Sequence, residues 1–265
     1  MLKYNEIYNM DNVEGMKMLA SECVDLVVTS PPYDDLRNYN GFTFNFKAVA
    51  NELYRVVKRG GVVVWVVGDA TIKGNETGTS FKQALYFKEI GFNLFDTMIY
   101  EKASGAPPHP NRYLNAFEYM FVLSKEVPKT INILKDRPNS CAGQTNWGER
   151  TQREKDGSLT QKGKSVVPEY GVRTNIWRYL TGRGFITKDE IAHKHPAIFP
   201  EKLVRDHIIS WSNEGDLVLD PFMGSGTTAK IARSLGRNYI GFEISKEYCE
   251  IAEQRLQETK TLFDL

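Results

Sequence analysis

Asp216-Leu217-Val218-Leu219-Asp220-Pro221-Phe222-Met223-Gly224-Ser225-Gly226-Thr227-Thr228 reads as a buried strand that runs into a glycine turn and opens a helix. Its apolar stretch is short, as expected for a strand covered on both faces, and open α/β sheets bind their ligands beyond the carboxyl ends of such strands. Gly224 and Gly226 bring no side chain to the turn, so a ligand can approach the backbone, and Thr227 stands where it can cap the following helix. An ordinary tight strand-to-helix turn would ask for the same two glycines. No lysine follows the second glycine, which disfavours a Walker loop. The next strand-like run, Tyr239-Ile240-Gly241-Phe242, closes on Glu243, where an acid can take both hydroxyls of a ribose.

A second strand with a special tip lies near the other end. Val24-Asp25-Leu26-Val27-Val28 leads into Thr29-Ser30-Pro31-Pro32-Tyr33. Two prolines fix the backbone and remove two amide protons, leaving the Pro31 carbonyl free to point at one place. An exocyclic amino group is a poor nucleophile because its lone pair is delocalised into the ring. Accepting its hydrogens at the Ser30 hydroxyl and the Pro31 carbonyl would localise that pair, and Tyr33 would offer a flat face to an extruded base. A strand followed by a rigid proline turn is the plainer alternative. Taken with the glycine turn and Glu243, the run points to an adenosyl cofactor, with Asp220 near its amino-acid end.

Between the two tips, strand-like and helix-like stretches alternate, as in a doubly wound sheet. The spacing predicts a helix over Phe46–Val57, a buried strand over Val62–Val67, a helix over Phe81–Glu89, and strands over Phe92–Tyr100 and Glu118–Leu123. It then predicts a helix from Pro200 to Trp211, one over Thr227–Leu235, a strand over Asn238–Phe242 and a last helix over Lys246–Glu258. From about Lys129 to Arg183 the rhythm breaks, and aromatics such as Trp147, Tyr170, Trp177 and Tyr179 stand isolated among polar residues. Such a stretch buries little apolar surface by itself, and we expect a partner to order part of it.

Composition sets milder bounds. The 265 residues carry a net charge of +1, which argues against coating nucleic acid by charge alone. Residues 129–190 hold twelve Lys or Arg against seven Asp or Glu, a basic segment on a faintly acidic body. No apolar run approaches 18 residues and no basic start precedes an apolar stretch, so the expectation is a cytoplasmic protein without a membrane span. Cys23, Cys141 and Cys249 are far apart and read as reduced thiols, and His193 with His195 lacks the neighbours of a metal site.

With the Pro-Pro-Tyr run first, a variable segment next and the glycine motif last, the chain resembles the β class of S-adenosylmethionine-dependent DNA amino-methyltransferases. This is the circularly permuted class that includes many restriction-modification methylases. The resemblance covers nearly all of the chain outside about 129–183. It implies a Rossmann-like α/β fold: a seven-stranded, mostly parallel sheet with helices on both faces, one antiparallel strand and a small irregular target-recognition insert. The corresponding parts are a catalytic half over 1–128, a target-recognition region over 129–190 and a cofactor half over 191–265. Ser30, Pro31, Pro32 and Tyr33 become the catalytic set. Asp11 would contact the cofactor's adenine, Glu243 its ribose, and Phe222, Gly224 and Gly226 its methionine part, with Asp220 and Thr227 beside them; Asp11 reads equally as a helix cap. Arg112-Tyr113-Leu114-Asn115 with Phe117-Glu118 resembles a base-side motif, and Arg37, Arg112, Arg150 and Arg153 are the candidate DNA contacts.

The implied reaction is direct methyl transfer to N4 of cytosine in duplex DNA, with N6 of adenine as the alternative because Ser-Pro-Pro-Tyr goes with cytosine more often than Asp-Pro-Pro-Tyr does. Carbon-5 methylation would call for a cysteine after a proline, whereas these three follow Glu22, Ser140 and Tyr248. Methylation of RNA or of a protein amide is more distant, and a non-catalytic DNA-binding subunit is the reading from another class. The partners implied are duplex DNA and, in a restriction-modification system, a cognate endonuclease, with the chain a monomer or homodimer.

Overall fold

The computed structural model describes residues 2–32, 45–103, 110–145, 150–162 and 165–259. Two compact units emerge, residues 133–174 and the remainder. The larger unit is built on one sheet of eight strands: β1 (Glu6–Asn9), β2 (Val24–Thr29), β3 (Val57–Val67), β4 (Asn93–Lys102), β5 (Phe117–Ser124), β6 (Ile176–Tyr179), β7 (Leu217–Asp220) and β8 (Asn238–Glu243). Across the sheet they run β1-β8-β7-β2-β3-β5-β4-β6. Every neighbouring pair is parallel except the two made by β5, which opposes both β3 and β4.

The strand count corrects the seven implied by resemblance. Ile176-Trp177-Arg178-Tyr179 alternates exposed and buried and pairs parallel with Ile99–Lys102 of β4. Trp177 and Tyr179 are therefore core residues, packed toward His207, whose ring lies 4.5 Å from Trp177, and toward Asp206, which accepts from the Tyr179 hydroxyl at 2.7 Å. Four residues with two aromatics give too short a period-2 signal to stand out from a polar surround.

Among the described residues six α-helices accompany the sheet: α1 (Asn12–Lys17), α2 (Phe46–Val56), α3 (Thr79–Glu89), α4 (Glu201–Trp211), α5 (Thr227–Ser234) and α6 (Lys246–Gln257). In β3 the side chains of Val63, Trp65 and Val67 enter the cluster that holds Met16 of α1, Leu53 of α2 and Phe87 of α3. Val62, Val64 and Val66 are equally buried but lie outside that cluster, so apolar side chains of both parities are covered. The helices divide accordingly, α1 to α3 packing in series and α4 to α6 in another series. This two-sided burial explains why β3 is a continuous valine run instead of an alternating one.

The unit over 133–174 contains two antiparallel ribbons, Arg150–Arg153 with Leu159–Lys162 and Arg137–Pro138 with Tyr170–Gly171. Arg173 donates to Asp136 within it. None of its described residues is buried, as a stretch poor in core-forming side chains requires. Among the described residues no helix is long and apolar enough to cross a membrane.

Candidate active site where the two strand tips meet

The topology brings the two sequence tips together. Chain direction across the sheet reverses between β7, which leads through α5 to β8, and β2, which leads through α2 to β3. At this switch point the carboxyl ends of β2 and β7 lie side by side, although 191 residues separate Thr29 from Asp220. The Thr29 hydroxyl donates to Asp220 Oδ1 at 2.6 Å, the Thr228 hydroxyl donates to Oδ2 at 2.7 Å, and the Phe222 amide donates to Oδ1 at 3.0 Å. At the other end of the same strands the Leu217 amide donates to Asp25 Oδ2 at 2.9 Å. Burial pushes the Asp220 carboxyl above the usual carboxylate range, opposed by its three donors. Asp220 thus fastens the two motifs to each other.

The glycine turn is shaped by a close approach at each glycine. Gly224 has φ +51°, and a Cβ there would lie 2.9 Å from Nε2 of His195. Gly226 has φ +80°, and its Cβ would lie 2.7 Å from that of Ala252 in α6. Gly226 is itself the N-cap of α5, and no side chain caps that helix, which corrects the cap expected at Thr227. Thr227 instead begins the helix and its hydroxyl accepts from Arg255 at 3.1 Å. Glu243, at the end of β8, accepts from the amides of Gly224 and Ser245, each at 2.8 Å. Burial pushes its carboxyl upward, those amides pulling it back.

A cavity of about 360 Å³ opens over these tips. Asp11, Phe222, Gly224, Thr227 and Glu243 line it on the β1, β8 and β7 side, and Ser30, Pro32 and Asp220 at the junction. Pro31 is buried and Gly226 packs on Ala252, so neither forms the wall. Asp11 caps α1, its Oδ1 accepting from Val13 and Glu14, while it also faces the cavity. Helix cap and cavity residue are one and the same there. Tyr33 and Arg37 lie outside the described residues. Arg112 is placed against the hairpin at Asn75–Glu76, donating to the Gly74 carbonyl and facing Glu76 at 3.6 Å. Arg150 and Arg153 fall in the 133–174 unit, on one strand.

Of the further lining residues, His195 opens the 195–203 stretch that resembles the class's additional cofactor-side helix and Glu118 belongs to the stretch that resembles a base-side motif, while Tyr100 and Lys102 were not foreseen. His195, its Nδ1 accepting from the Ala197 amide at 3.1 Å, stacks edge-on against Tyr248 at 4.4 Å and backs the glycine turn. Beyond β2 the wall continues onto β4 and β5 with Tyr100 and the ion pair of Lys102 with Glu118, 2.6 Å apart. Burial raises the Tyr100 hydroxyl's pKa. An alternating strand announces which residues share a face, but only the pairing of β4 with β5 brings this cation and acid together.

A glycine turn and a proline-rigid tip sharing one cavity at a switch point are the parts of an α/β enzyme that holds a cofactor beside its acceptor. The chain belongs to the DNA methylase family of N6 and N4 methyltransferases, whose pattern matches residues 24–254, and is a DNA methyltransferase. It is 62% identical over 244 residues to the orphan methyltransferase M.BamHII of Bacillus amyloliquefaciens, covering 91% of this chain and 92% of that one. Among solved structures, the cytosine-N4-specific PvuII DNA methyltransferase superposes with a TM-score of 0.67 at 22% identity, over 96% of this chain and 87% of the other. The M1.HpyAVI complex with S-adenosylmethionine gives 0.60 at 24% identity, over 95% and 99%. Both structures share the fold.

Proposed function

We propose that this chain transfers the methyl group of S-adenosylmethionine to the N4 amino group of cytosine in duplex DNA, as a modification methylase of the restriction-modification kind. The observation that carries the reading is the hydrogen bond of Thr29 to Asp220, because it sets the Ser30-Pro31-Pro32 tip against the glycine turn in one cavity. The residues present fit the cofactor: glycine at 224 keeps the turn clear beside His195, and Glu243 offers a carboxylate for ribose hydroxyls. The cofactor supplies an electrophilic methyl carbon. The protein supplies alignment, which is the main demand of a one-step displacement.

Ser30 lines the cavity and accepts one amino hydrogen, and the Pro31 carbonyl, buried behind that wall, takes the other once it turns into the cavity, so that the nitrogen lone pair points toward the methyl carbon. Pro31 and Pro32 cannot donate, so no backbone amide competes at this tip. Tyr33 is the stacking face for the extruded base. The cofactor then occupies the wall formed by Asp11, Glu243 and Phe222, and the base enters from the side of Tyr100, Lys102 and Glu118. Cytosine is preferred because Ser30 stands where adenine-directed enzymes of the resembled class more often carry Asp. Methylation of duplex DNA by the purified chain, digestion to nucleosides and mass spectrometry test this reading. N4-methylcytosine is expected; N6-methyladenine alone would replace cytosine with adenine and leave the cofactor reading in place.

A further inference from the structure

Behind the glycine turn, on the side away from the cavity, lies a buried ionic cluster for which methyl transfer itself has no use. Arg255 of α6 has a fully buried side chain. Its Nε donates to Asp189 Oδ2 at 2.9 Å, its Nη2 to Glu201 Oε1 at 2.8 Å, and its Nη1 to the Ser225 carbonyl at 2.6 Å and the Thr227 hydroxyl at 3.1 Å. Lys230 of α5 reaches the same two carboxylate oxygens at 2.7 and 2.8 Å. Two cations and two acids therefore balance, and only one of the cations also grips the turn. Asp189 follows the stretch that lines the cavity at Thr181 and Ile186, while Glu201 begins α4.

A buried ion pair is weak evidence of stabilisation, since desolvation costs about as much as the attraction returns. What a guanidinium provides is geometry: a rigid planar fork that fixes its acceptors in set directions, where an ammonium on a flexible stem sets none. Here the fork holds the carbonyl of Ser225, the residue between Gly224 and Gly226. Ser225 is buried, and its hydroxyl also accepts from Arg255 Nη1 at 3.1 Å, so the guanidinium holds this residue by main chain and side chain together. The Gly224 amide in turn holds Glu243.

We propose that Arg255 is a positioning residue for cofactor binding: it fixes the glycine turn through the Ser225 carbonyl, and Asp189 ties that turn to the 181–189 wall of the cavity. The inference rests on the reading that the cavity takes S-adenosylmethionine. Cofactor grip then depends on a residue that touches no cofactor atom. The Lys230 side chain, sharing the acids without touching the turn, has no such influence.

Calorimetric titration with S-adenosylmethionine, paired with thermal melting, tests this on the full chain. Arg255→Lys keeps the charge and loses the fork; its Kd should rise about tenfold or more, the effect of losing a charge-assisted hydrogen bond that sets the site. Asp189→Asn should shift Kd in the same direction by a smaller factor and serves if Arg255→Lys fails to fold. Lys230→Met, which leaves the bonds of Arg255 to the Ser225 carbonyl and the Thr227 hydroxyl in place, should leave Kd within about twofold of the parent. An unchanged Kd in folded Arg255→Lys, or an equal rise in Lys230→Met, would overturn the proposal. A parent chain that binds no S-adenosylmethionine would instead remove the cofactor reading beneath it.

Discussion

Glu243 carries two demands that oppose each other. It is enclosed enough that burial lifts its carboxyl pKa, yet its ionised form is the better acceptor for ribose hydroxyls and for the amides of Gly224 and Ser245. The signs separate cleanly. A carboxyl whose pKa rises on folding stabilises the fold in its protonated form, fully so at acid pH, and this contribution is lost as pH climbs through the folded value. Cofactor affinity should run the other way, falling on acidification and starting to fall above the ordinary carboxylate range. Glu243→Gln should flatten both profiles, read by melting and by calorimetry across a pH series; identical profiles in parent and variant would refute the assignment. Gly226 gives a companion test. A Cβ there would meet Ala252 at 2.7 Å with φ at +80°, so Gly226→Ala should displace the turn and weaken cofactor binding severalfold, a strain of about 1–3 kcal/mol. Wild-type affinity in a folded variant would mean that the turn does not shape the pocket.

At the scale of elements, the junction of β2 with β7 decides whether a site exists at all. The two strands share only the register pairs Val218 with Leu26 and Leu219 with Val27, and carboxylates bracket the short seam, Asp25 at its start and Asp220 at its end. Asp220→Ala would orphan the buried hydroxyl of Thr29, leave that of Thr228 only the Val28 carbonyl at 3.2 Å, and should cost about 2–4 kcal/mol, seen as a lower urea midpoint, with methyl transfer lost more steeply than stability. A variant as stable and active as the parent would show that the seam needs no such clamp. Most of this architecture was legible beforehand because each strand beside the site ends in a residue type with one physical reason to be there: prolines at 31 and 32, glycines at 224 and 226, an acid at 243. Less visible were β1 and α1, whose few residues carry no clear period, and β6. The Arg255 cluster left only a faint trace, a cation on the buried stripe of α6 beside Ile251, Ala252 and Leu256. Its partners lie 54 and 66 residues away, beyond any local pattern.

At the scale of the whole molecule, the division of labour follows from what each unit can bury. The sheet unit holds the core and the cavity, while none of the residues of 133–174 whose burial is described is buried, and the stretch carries eight Lys or Arg against five Asp or Glu. A unit that buries little gains little by folding alone and much by lying on a partner of opposite charge, so we propose that it carries target recognition in DNA, with Arg150 and Arg153 as phosphate contacts. Both sit on one strand, three residues apart. Only eight of the 34 Lys and Arg lie in 133–174, so the test reads the change in salt dependence between parent and variant. Each phosphate contact contributes about 0.9 to the slope of log affinity against log salt, so replacing both arginines by glutamine should lower that slope by nearly 2 units and weaken binding at low salt most. The affinity for S-adenosylmethionine should stay at its parental value, since neither arginine lines the cavity. Equal salt slopes for parent and variant would move the phosphate contacts elsewhere, while a fall in cofactor affinity would mean that the variant had disturbed the sheet unit and not the DNA contact alone.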